Sequence, residues 1–244
     1  MRHPDYLLDH LDLEALFRRP SRAVAPNVEK SVSDTPPEAP PKCPLCPRLV
    51  EYREENTRAH PDWFNGAAPS FGDPNARLLV VGLAPGRMGA NRTGRPFTGD
   101  YAGDLLYGTL KKFGFAEGEY RADPNDGFTL TGAMITNAVR CAPPENKPTP
   151  EEIKTCRPFL LSRIAALPKL KVIFALGSIA HESVLRAHGM KPTDSKFAHG
   201  AETALLDGPT LVSSYHCSRY NTQTRRLTTE MFENLFARAK ELAG

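Results

Sequence analysis

Short apolar runs alternate with longer amphipathic segments from residue 77 to the C-terminus. Four runs are typical of buried strands, and they span residues 77–81, 129–137, 172–176 and 210–214. Apolar residues at helical spacing predict a helix after each run, over residues 101–113, 149–167, 178–188 and 224–242. This repeated β-α unit predicts an α/β fold of three layers (α/β/α), in which a central four-stranded, mostly parallel sheet lies between helices.

The best-defined helix boundary in the sequence is at Thr149. A Thr at the N-cap, Pro150 at the first helical position and Glu152 three residues after the cap form the pattern of a capping box. We therefore expect this helix to begin directly after Thr149.

Residues 1–42 have a different pattern from the rest of the chain. Apolar residues at helical spacing predict a short helix over residues 5–18. Six prolines and few apolar residues follow in residues 20–42, which is typical of a linker or of an arm on the protein surface. We expect an N-terminal extension over residues 1–42 and a single domain over residues 43–244.

Several chemically versatile side chains follow the predicted strands at their carboxyl ends, the edge at which doubly wound α/β folds bind ligands. Asn137 ends the second strand, His216 follows the fourth, and a Gly-rich loop after the first carries Phe97 and Asp100. Each side chain also has a structural alternative. Asp100 could cap the next helix, and Phe97 and His216 could belong to the core.

The composition limits the class of protein. The chain has 244 residues, is 40% hydrophobic and has a formal net charge of +3. No apolar run approaches the roughly 18 residues of a transmembrane helix, and residues 1–30 lack the apolar stretch of a secretory signal. We therefore expect a cytoplasmic protein. The slight positive charge is compatible with nucleic-acid binding without requiring it.

The chain contains five cysteines, which are Cys43, Cys46, Cys141, Cys156 and Cys217. In a cytoplasmic protein we do not expect them to form disulfides. The first two form a C-x-x-C pair, and four thiolates can hold a zinc ion or a [4Fe–4S] cluster. The wide spacing of the others leaves both kinds of metal site open.

Three loop segments and four of the cysteines carry motifs in a recognisable order. The segments are residues 82–100 (GLAPGRMGANRTGRPFTGD), 136–141 (TNAVRC) and 216–228 (HCSRYNTQTRRLT). They resemble the first motif, the second motif and the H-P-S-x-x-N…T-x-R-L-T motif of the family 5 (type B) iron–sulfur uracil-DNA glycosylases. The resemblance covers roughly residues 43–240. The cysteines that match the cluster ligands shared by families 4 and 5 are Cys43, Cys46, Cys141 and Cys156.

This resemblance implies a DNA repair enzyme that hydrolyses the glycosidic bond of flipped-out uracil, with hypoxanthine and other damaged bases as further candidate substrates. It implies a monomer that holds a [4Fe–4S] cluster on the four cysteines. The implied catalytic residues are Asp100, which positions water, His216, which donates to uracil O2, and Asn137, which binds the base edge. The implied base-binding residues are Phe97, Asn137, Gly82 and Ala84. The implied DNA-binding residues are Arg219, Tyr220, Asn221, Arg225 and Arg226.

Two positions are informative beyond the motifs. Cys217 stands where the family usually has Pro, so the fixed φ of proline is lost beside His216. Leu83 stands where family 4 carries Glu, which favours family 5.

Three other classes of protein were weighed. A catalytically inactive iron–sulfur or zinc module that binds nucleic acid would keep the cysteines and arginines without needing Asp100 or His216. A zinc nucleobase deaminase requires an H-x-E motif, which the sequence lacks. The G-x-x-x-x-G-K-[ST] motif of nucleoside triphosphate hydrolases is also absent from the sequence.

Overall fold

The structure is a computed structural model that describes residues 36–206 and 208–244. The predicted helix over residues 5–18 lies outside the described residues. The helices are α1 (Pro47–Ala59), α2 (Ala90–Thr93), α3 (Tyr101–Lys112), α4 (Pro150–Ala165), α5 (Ser178–Ala187), α6 (Arg219–Gln223) and α7 (Thr229–Ala243). The strands are β1 (Phe71–Gly72), β2 (Leu78–Gly82), β3 (Ala116–Glu117), β4 (Thr129–Leu130), β5 (Ala133–Asn137), β6 (Val172–Leu176), β7 (Glu202–Ala204) and β8 (Thr210–Ser214).

The main sheet has six strands in the order β1-β5-β2-β6-β8-β7. Its centre, β5-β2-β6-β8, is parallel and corresponds to the four predicted strands. The prediction of only four strands is therefore wrong in number, because β1 and β7 pair antiparallel with the two outer strands of this centre. These edge strands have two and three residues, too few to give a recognisable alternation.

The three predicted layers are confirmed by β2, whose side chains pack alternately on the two faces of the sheet. Leu78 and Val80 pack on the side covered by α3 and α7. Leu79 and Val81 pack on the side covered by α4 and α5. All five residues of the strand are buried, because successive side chains of a strand point to opposite faces and both faces here are covered.

Two predicted elements are divided by residues with positive φ. The strand predicted over residues 129–137 breaks at Gly132, which has a φ of 67°, into β4 and β5. The helix predicted from Thr224 begins instead at Thr229, since Arg225 has a φ of 57°. Thr228 caps α7 by accepting a hydrogen bond from the amide of Met231 at 3.1 Å.

The capping box predicted for α4 is confirmed. The amide of Glu152 donates to Thr149 Oγ1 at 3.2 Å, and the amide of Thr149 donates to Glu152 Oε2 at 2.8 Å. Each side chain thus satisfies a backbone donor that the helix leaves free at its N-terminus.

Residues 36–42, the described end of the predicted extension, contact the domain. Glu38 forms ion pairs with Arg140, at 2.9 Å, and with Arg163. Ala39 is buried in the same cluster as the cysteines. None of the helices in the described ranges is long and apolar enough to cross a membrane.

Candidate active site

One cavity, of about 350 Å³, opens at the carboxyl edge of the sheet. It is bounded by the loop after β2, the end of β5, the start of α3 and the loop after β8. Its lining residues are Leu83, Ala84, Pro85, Gly86, Phe97, Asp100, Tyr101, Ala102, Asn137, Asn146, His216, Ser218 and Arg219. The sheet edge predicted from the sequence therefore carries a cavity that contains Asp100, Asn137 and His216.

Strand register brings these residues together. Gly82, the last residue of β2, lies opposite Asn137, the last residue of β5. Asp100 precedes the first residue of α3, and His216 follows β8 by two residues. Because parallel strands end at the same edge, side chains far apart in the sequence face one cavity.

Three polar atoms in this cavity are buried without a hydrogen-bond partner in the described part of the chain. They are Asp100 Oδ1, Asn137 Oδ1 and His216 Nδ1. A buried polar atom without a partner is costly in a folded protein, so such atoms commonly mark places where a ligand or water completes the hydrogen bonds. Three of them around one cavity indicate a ligand that offers several polar groups.

Burial sets the protonation of the two titratable groups. It lowers the pKa of His216 to about 4, so the imidazole is neutral at pH 7. Burial also raises the pKa of Asp100, while the amides of Gly103 and Ala102 at the start of α3 oppose that rise. Asp100 occupies the N-cap position, but its side chain forms no capping hydrogen bond. The amides of Ala102 and Gly103 therefore act on the carboxylate without forming a capping hydrogen bond of normal geometry, so the cap alternative accounts for only part of its environment.

Phe97 is held in an unusual backbone conformation beside His216. Its φ is 53°, a left-handed value that is uncommon for a bulky residue, and the Tyr120 hydroxyl donates to its carbonyl oxygen at 3.0 Å. Its ring is roughly parallel to that of His216, with a centroid distance of 5.9 Å and an interplanar angle of 26°. Strained backbone of this kind is often found at ligand sites.

The predicted DNA-binding residues divide into three groups. Arg219 lines the cavity, with its guanidinium 5.1 Å from the ring centroid of Tyr101, and Tyr220 beside it is 70% exposed. Asn221 instead donates to the carbonyl oxygen of His216 at 2.8 Å, so it holds the backbone of that residue. The exposed residues Arg225 and Arg226 do not line the cavity.

Sequence reasoning missed several lining residues, of which Tyr101 and Asn146 have side chains suited to contact a ligand. Tyr101 could have been predicted from its position, because it follows Asp100 directly, at the first turn of α3. Asn146 lies at the end of a short 3-10 helix (Pro144–Asn146) in a loop without periodicity, so no pattern pointed to it.

The basic residues of the Gly-rich loop do not all face solvent. Arg95 is buried and forms two parallel hydrogen bonds of 2.8 Å with Asp126. That pairing holds the pKa of Asp126 far below its usual value. Arg95 therefore stabilises the loop from within and is unavailable to contact a nucleic acid.

A second, narrow cavity, of about 10 Å³, brings together the four predicted metal-binding cysteines. Those residues are Cys43, Cys46, Cys141 and Cys156. The amide of Arg140 donates to Cys156 Sγ at 3.3 Å. In the described ranges, no three His, Cys, Asp or Glu side chains are arranged to hold a single metal ion.

The electrostatics of the cysteines depend on burial. Burial raises the pKa of Cys141 to about 12 and that of Cys156 to about 11. The fifth cysteine lies apart from this cavity. Cys217 is fully buried in the core on the α3 side, where its thiol donates to the carbonyl oxygen of Ala102 at 3.6 Å. Cys217 is thus not among the residues that line the cavity of its neighbour His216.

Comparison with known proteins identifies the family. A family model described as the uracil DNA glycosylase superfamily matches residues 69–240. The chain is 48% identical over 208 residues to a type-5 uracil-DNA glycosylase of Thermus thermophilus, a match covering 83% of this chain and 94% of that protein. It is 42% identical over 210 residues to a type-5 uracil-DNA glycosylase of Mycobacterium bovis, covering 83% and 78%.

A more distant relative has a different type. The chain is 32% identical over 150 residues to a type-4 uracil-DNA glycosylase of Pyrobaculum aerophilum, covering 61% of this chain and 62% of that protein. Identity is thus higher to the type-5 relatives, and it extends over most of the chain. The chain belongs to the type-5 family of the uracil-DNA glycosylase superfamily.

Proposed function

We propose that this chain hydrolyses the N-glycosidic bond of uracil in DNA and so begins base excision repair. The observation that carries this proposal is the set of unpaired buried atoms of Asp100, Asn137 and His216 around one cavity. A flipped uracil offers an N3–H donor to Asn137 Oδ1 and a carbonyl acceptor to an imidazole N–H, while a water molecule completes the hydrogen bonds of Asp100. Base-modifying enzymes take their target out of the duplex. The cavity volume of about 350 Å³ leaves room for a purine, so we include hypoxanthine and other damaged bases among the proposed substrates.

The base is held by its edge and by its face. The amide of Asn137 offers one acceptor and two donors, which matches the N3–H and O4 groups of uracil. Phe97 stacks on the ring of the base, since its own ring borders the cavity beside His216. Ala84 lines the cavity with a small side chain, and Gly82 leaves the space that Asn137 and Phe97 occupy beside it.

Bond cleavage leaves positive charge on the sugar and negative charge on the base. The Asp100 carboxylate orients the attacking water and stabilises the positive sugar. The neutral imidazole of His216 donates an N–H to uracil O2, where the negative charge of the departing base collects. Asn221 positions His216 through the hydrogen bond to its carbonyl oxygen.

The remaining contacts are to the DNA around the extruded base. Arg219, Arg225 and Arg226 neutralise phosphates, while the exposed ring of Tyr220 enters the space that the base leaves. Unstacking a base costs a few kcal/mol, and it is least costly at a mismatch such as G·U. These contacts offset that cost.

We further propose that Cys43, Cys46, Cys141 and Cys156 hold a [4Fe–4S] cluster. The four thiols border one cavity with a mainly apolar lining and an N–H···S hydrogen bond, which suits such a cluster. A single zinc ion would need its ligands within about 2.3 Å of one centre, and the described residues contain no such group. The cluster supplies a structural cross-link and no hydrolytic chemistry.

The cross-link also bears on the proposed domain boundaries. It joins the start of the domain at Cys43 to the loop that carries Asn137 and Cys141, four residues apart. We therefore propose residues 43–244 as one catalytic domain, with residues 1–42 as its extension.

A base-release assay tests the proposed function. The full-length chain is incubated in excess with duplexes that carry one G·U, one hypoxanthine or only normal pairs, and free base and abasic sites are measured. We expect release of uracil and no release from the normal duplex. DNA binding without release of any base would instead favour the inactive nucleic-acid-binding module.

Gly82→Ala is expected to slow uracil release under single-turnover conditions about 10-fold or more. The added Cβ would lie 2.4 Å from Asn137 Oδ1 and 2.8 Å from Phe97 Cζ, so both base-binding side chains must move. Gly108→Ala is the matched control, because a Cβ there meets nothing within 4 Å. Equal rates for the two variants would contradict a base-binding role at Gly82.

The single-turnover rate of uracil release is expected to rise with pH through an acidic ionisation and then stay level. The raised pKa of Asp100 sets this ionisation, because only the carboxylate orients water and stabilises the sugar cation. His216, with a pKa of about 4, is already neutral above pH 5 and adds no loss at higher pH. A rate that falls as pH rises through His216's ordinary value of 6.5 would show that a protonated imidazole is required, contrary to the proposal.

A further inference from the structure

Two arginines beside the cysteine cavity have carboxylate partners. Arg48 binds both oxygens of Glu152, with hydrogen bonds of 2.8 and 2.7 Å. Arg140 forms an ion pair of 2.9 Å with Glu38. Arg48 therefore has a carboxylate of its own, and Arg140 shares Glu38 with Arg163.

Arg53 is different. It lies on α1 and is only 9% exposed. Its Nη1 donates to the carbonyl oxygen of Cys43 at 3.1 Å and reaches Cys141 Sγ at 3.9 Å. Among the described residues, no carboxylate lies within ion-pair distance of its guanidinium, so this cation is buried against a carbonyl and a thiol.

A buried cation without an anion is strongly unfavourable, and a folded protein normally pairs such a charge. The carbonyl of Cys43 and the thiol of Cys141 supply dipoles but no negative charge. A cluster bound by four thiolates does supply it, because the thiolate charges outweigh the positive charge of the cluster core. The missing partner of Arg53 is thus the charge that the cysteines acquire when they bind the cluster.

We propose that Arg53 is the counter-charge of the cysteine-bound cluster and donates a charge-assisted hydrogen bond to the thiolate of Cys141. The inference rests on the cluster proposed above and assigns to this side chain a role in its stability and potential. Hydrogen bonds to ligand sulfurs and nearby charges are the means by which a protein tunes such clusters. Arg53 is a positioning residue for the cluster and takes no part in hydrolysis.

The test uses three variants of the full-length chain. Arg53→Met removes the charge and keeps much of the side-chain length, whereas Arg53→Lys keeps the charge. Arg58→Met is the matched control, because Arg58 is an exposed arginine in the last turn of the same helix. Iron and acid-labile sulfide per chain, the thermal midpoint with and without the cluster, and the cluster's reduction potential are measured for each protein.

Charge compensation predicts that Arg53→Met shifts the thermal midpoint in opposite directions in the protein with the cluster and in the protein without it. With the cluster bound, Arg53→Met is expected to lower the thermal midpoint by about 6 °C or more, because it removes one partner of a buried pair. After removal of the cluster by chelation, the same variant is expected to unfold at a higher temperature than the wild type, since the unpaired buried charge is gone. Its reduction potential is expected to be more negative, because adding an electron beside fewer positive charges is harder.

Other outcomes distinguish a failure of the role proposed for Arg53 from a failure of the proposed cluster. Equal destabilisation of both forms by Arg53→Met would overturn the role of Arg53, since that is the effect of lost packing alone. If Arg53→Met is isolated without iron, retention of iron in Arg53→Lys supports the role, and equal loss from both variants overturns it. Wild-type protein that contains no iron and no sulfide would overturn the cluster itself, and with it the inference.

Discussion

Replacing Asp100 by asparagine is expected to lower the single-turnover rate of uracil release about 1000-fold. The amide has the size of the carboxylate but carries no charge, so it neither stabilises the positive sugar nor orients water as a base. The carboxylate is held in the cavity without a capping bond to α3, and one of its oxygens has no partner in the described residues. Its loss should therefore reduce the rate more than the stability of the fold.

The matched control for this change is Asp104→Asn. Asp104 lies on the same helix, one turn later, and it is exposed. We expect this variant to release uracil at the wild-type rate and to bind the duplex with the same affinity. A decrease of less than 10-fold for Asp100→Asn, or a similar decrease for both variants, would contradict the role of Asp100.

Cys141→Ser is expected to remove the proposed cluster and to lower the free energy of unfolding by several kcal/mol. Structural metal sites contribute directly to folding, because the ligands come together only in the folded chain. The variant should lose its brown colour and its absorbance near 400 nm, together with iron and sulfide. Uracil release should fall as well, since Cys141 follows Asn137 by four residues and holds its loop.

Cys217→Ser is the control for the loss of a buried thiol. Cys217 is fully buried but lies in the core on the α3 side, outside the cavity of the other four cysteines. We expect this variant to keep the full content of iron and sulfide. Iron content that is unchanged in Cys141→Ser, or lost equally in both variants, would contradict the assignment of the four ligands.

The parallel centre of the fold was predictable because each central strand is buried on both faces. Residues such as Leu79 and Val80 give an apolar run without interruption, which indicates a strand covered on two sides. The edge strand β1 gives no such signal. It pairs antiparallel with β5, but its two residues are too few to form a pattern in the sequence. Helix α1 was missed for a related reason. It buries a Leu, an Arg and an Asn, and these do not form an apolar stripe.

The main residues of the site could be located, whereas their environment could not. Asp100, Asn137 and His216 follow predicted strands at the edge where ligands bind, and motif resemblance selected them from other polar residues. The family prediction is confirmed by the type-5 relatives. Sequence patterns do not show which charged side chains form ion pairs in the folded chain. The pairing of Arg95 with Asp126 and the isolated Arg53 therefore became visible only in the folded chain.

A crystal structure of the Asp100→Asn variant bound to a duplex with a single G·U pair tests the proposed base binding most directly. We expect a uracil outside the duplex, in the cavity at the sheet edge, with its ring against Phe97 and its edge within hydrogen-bond distance of Asn137 and His216. A uracil that remains stacked in the duplex, or that binds away from these three side chains, would contradict the proposed base binding.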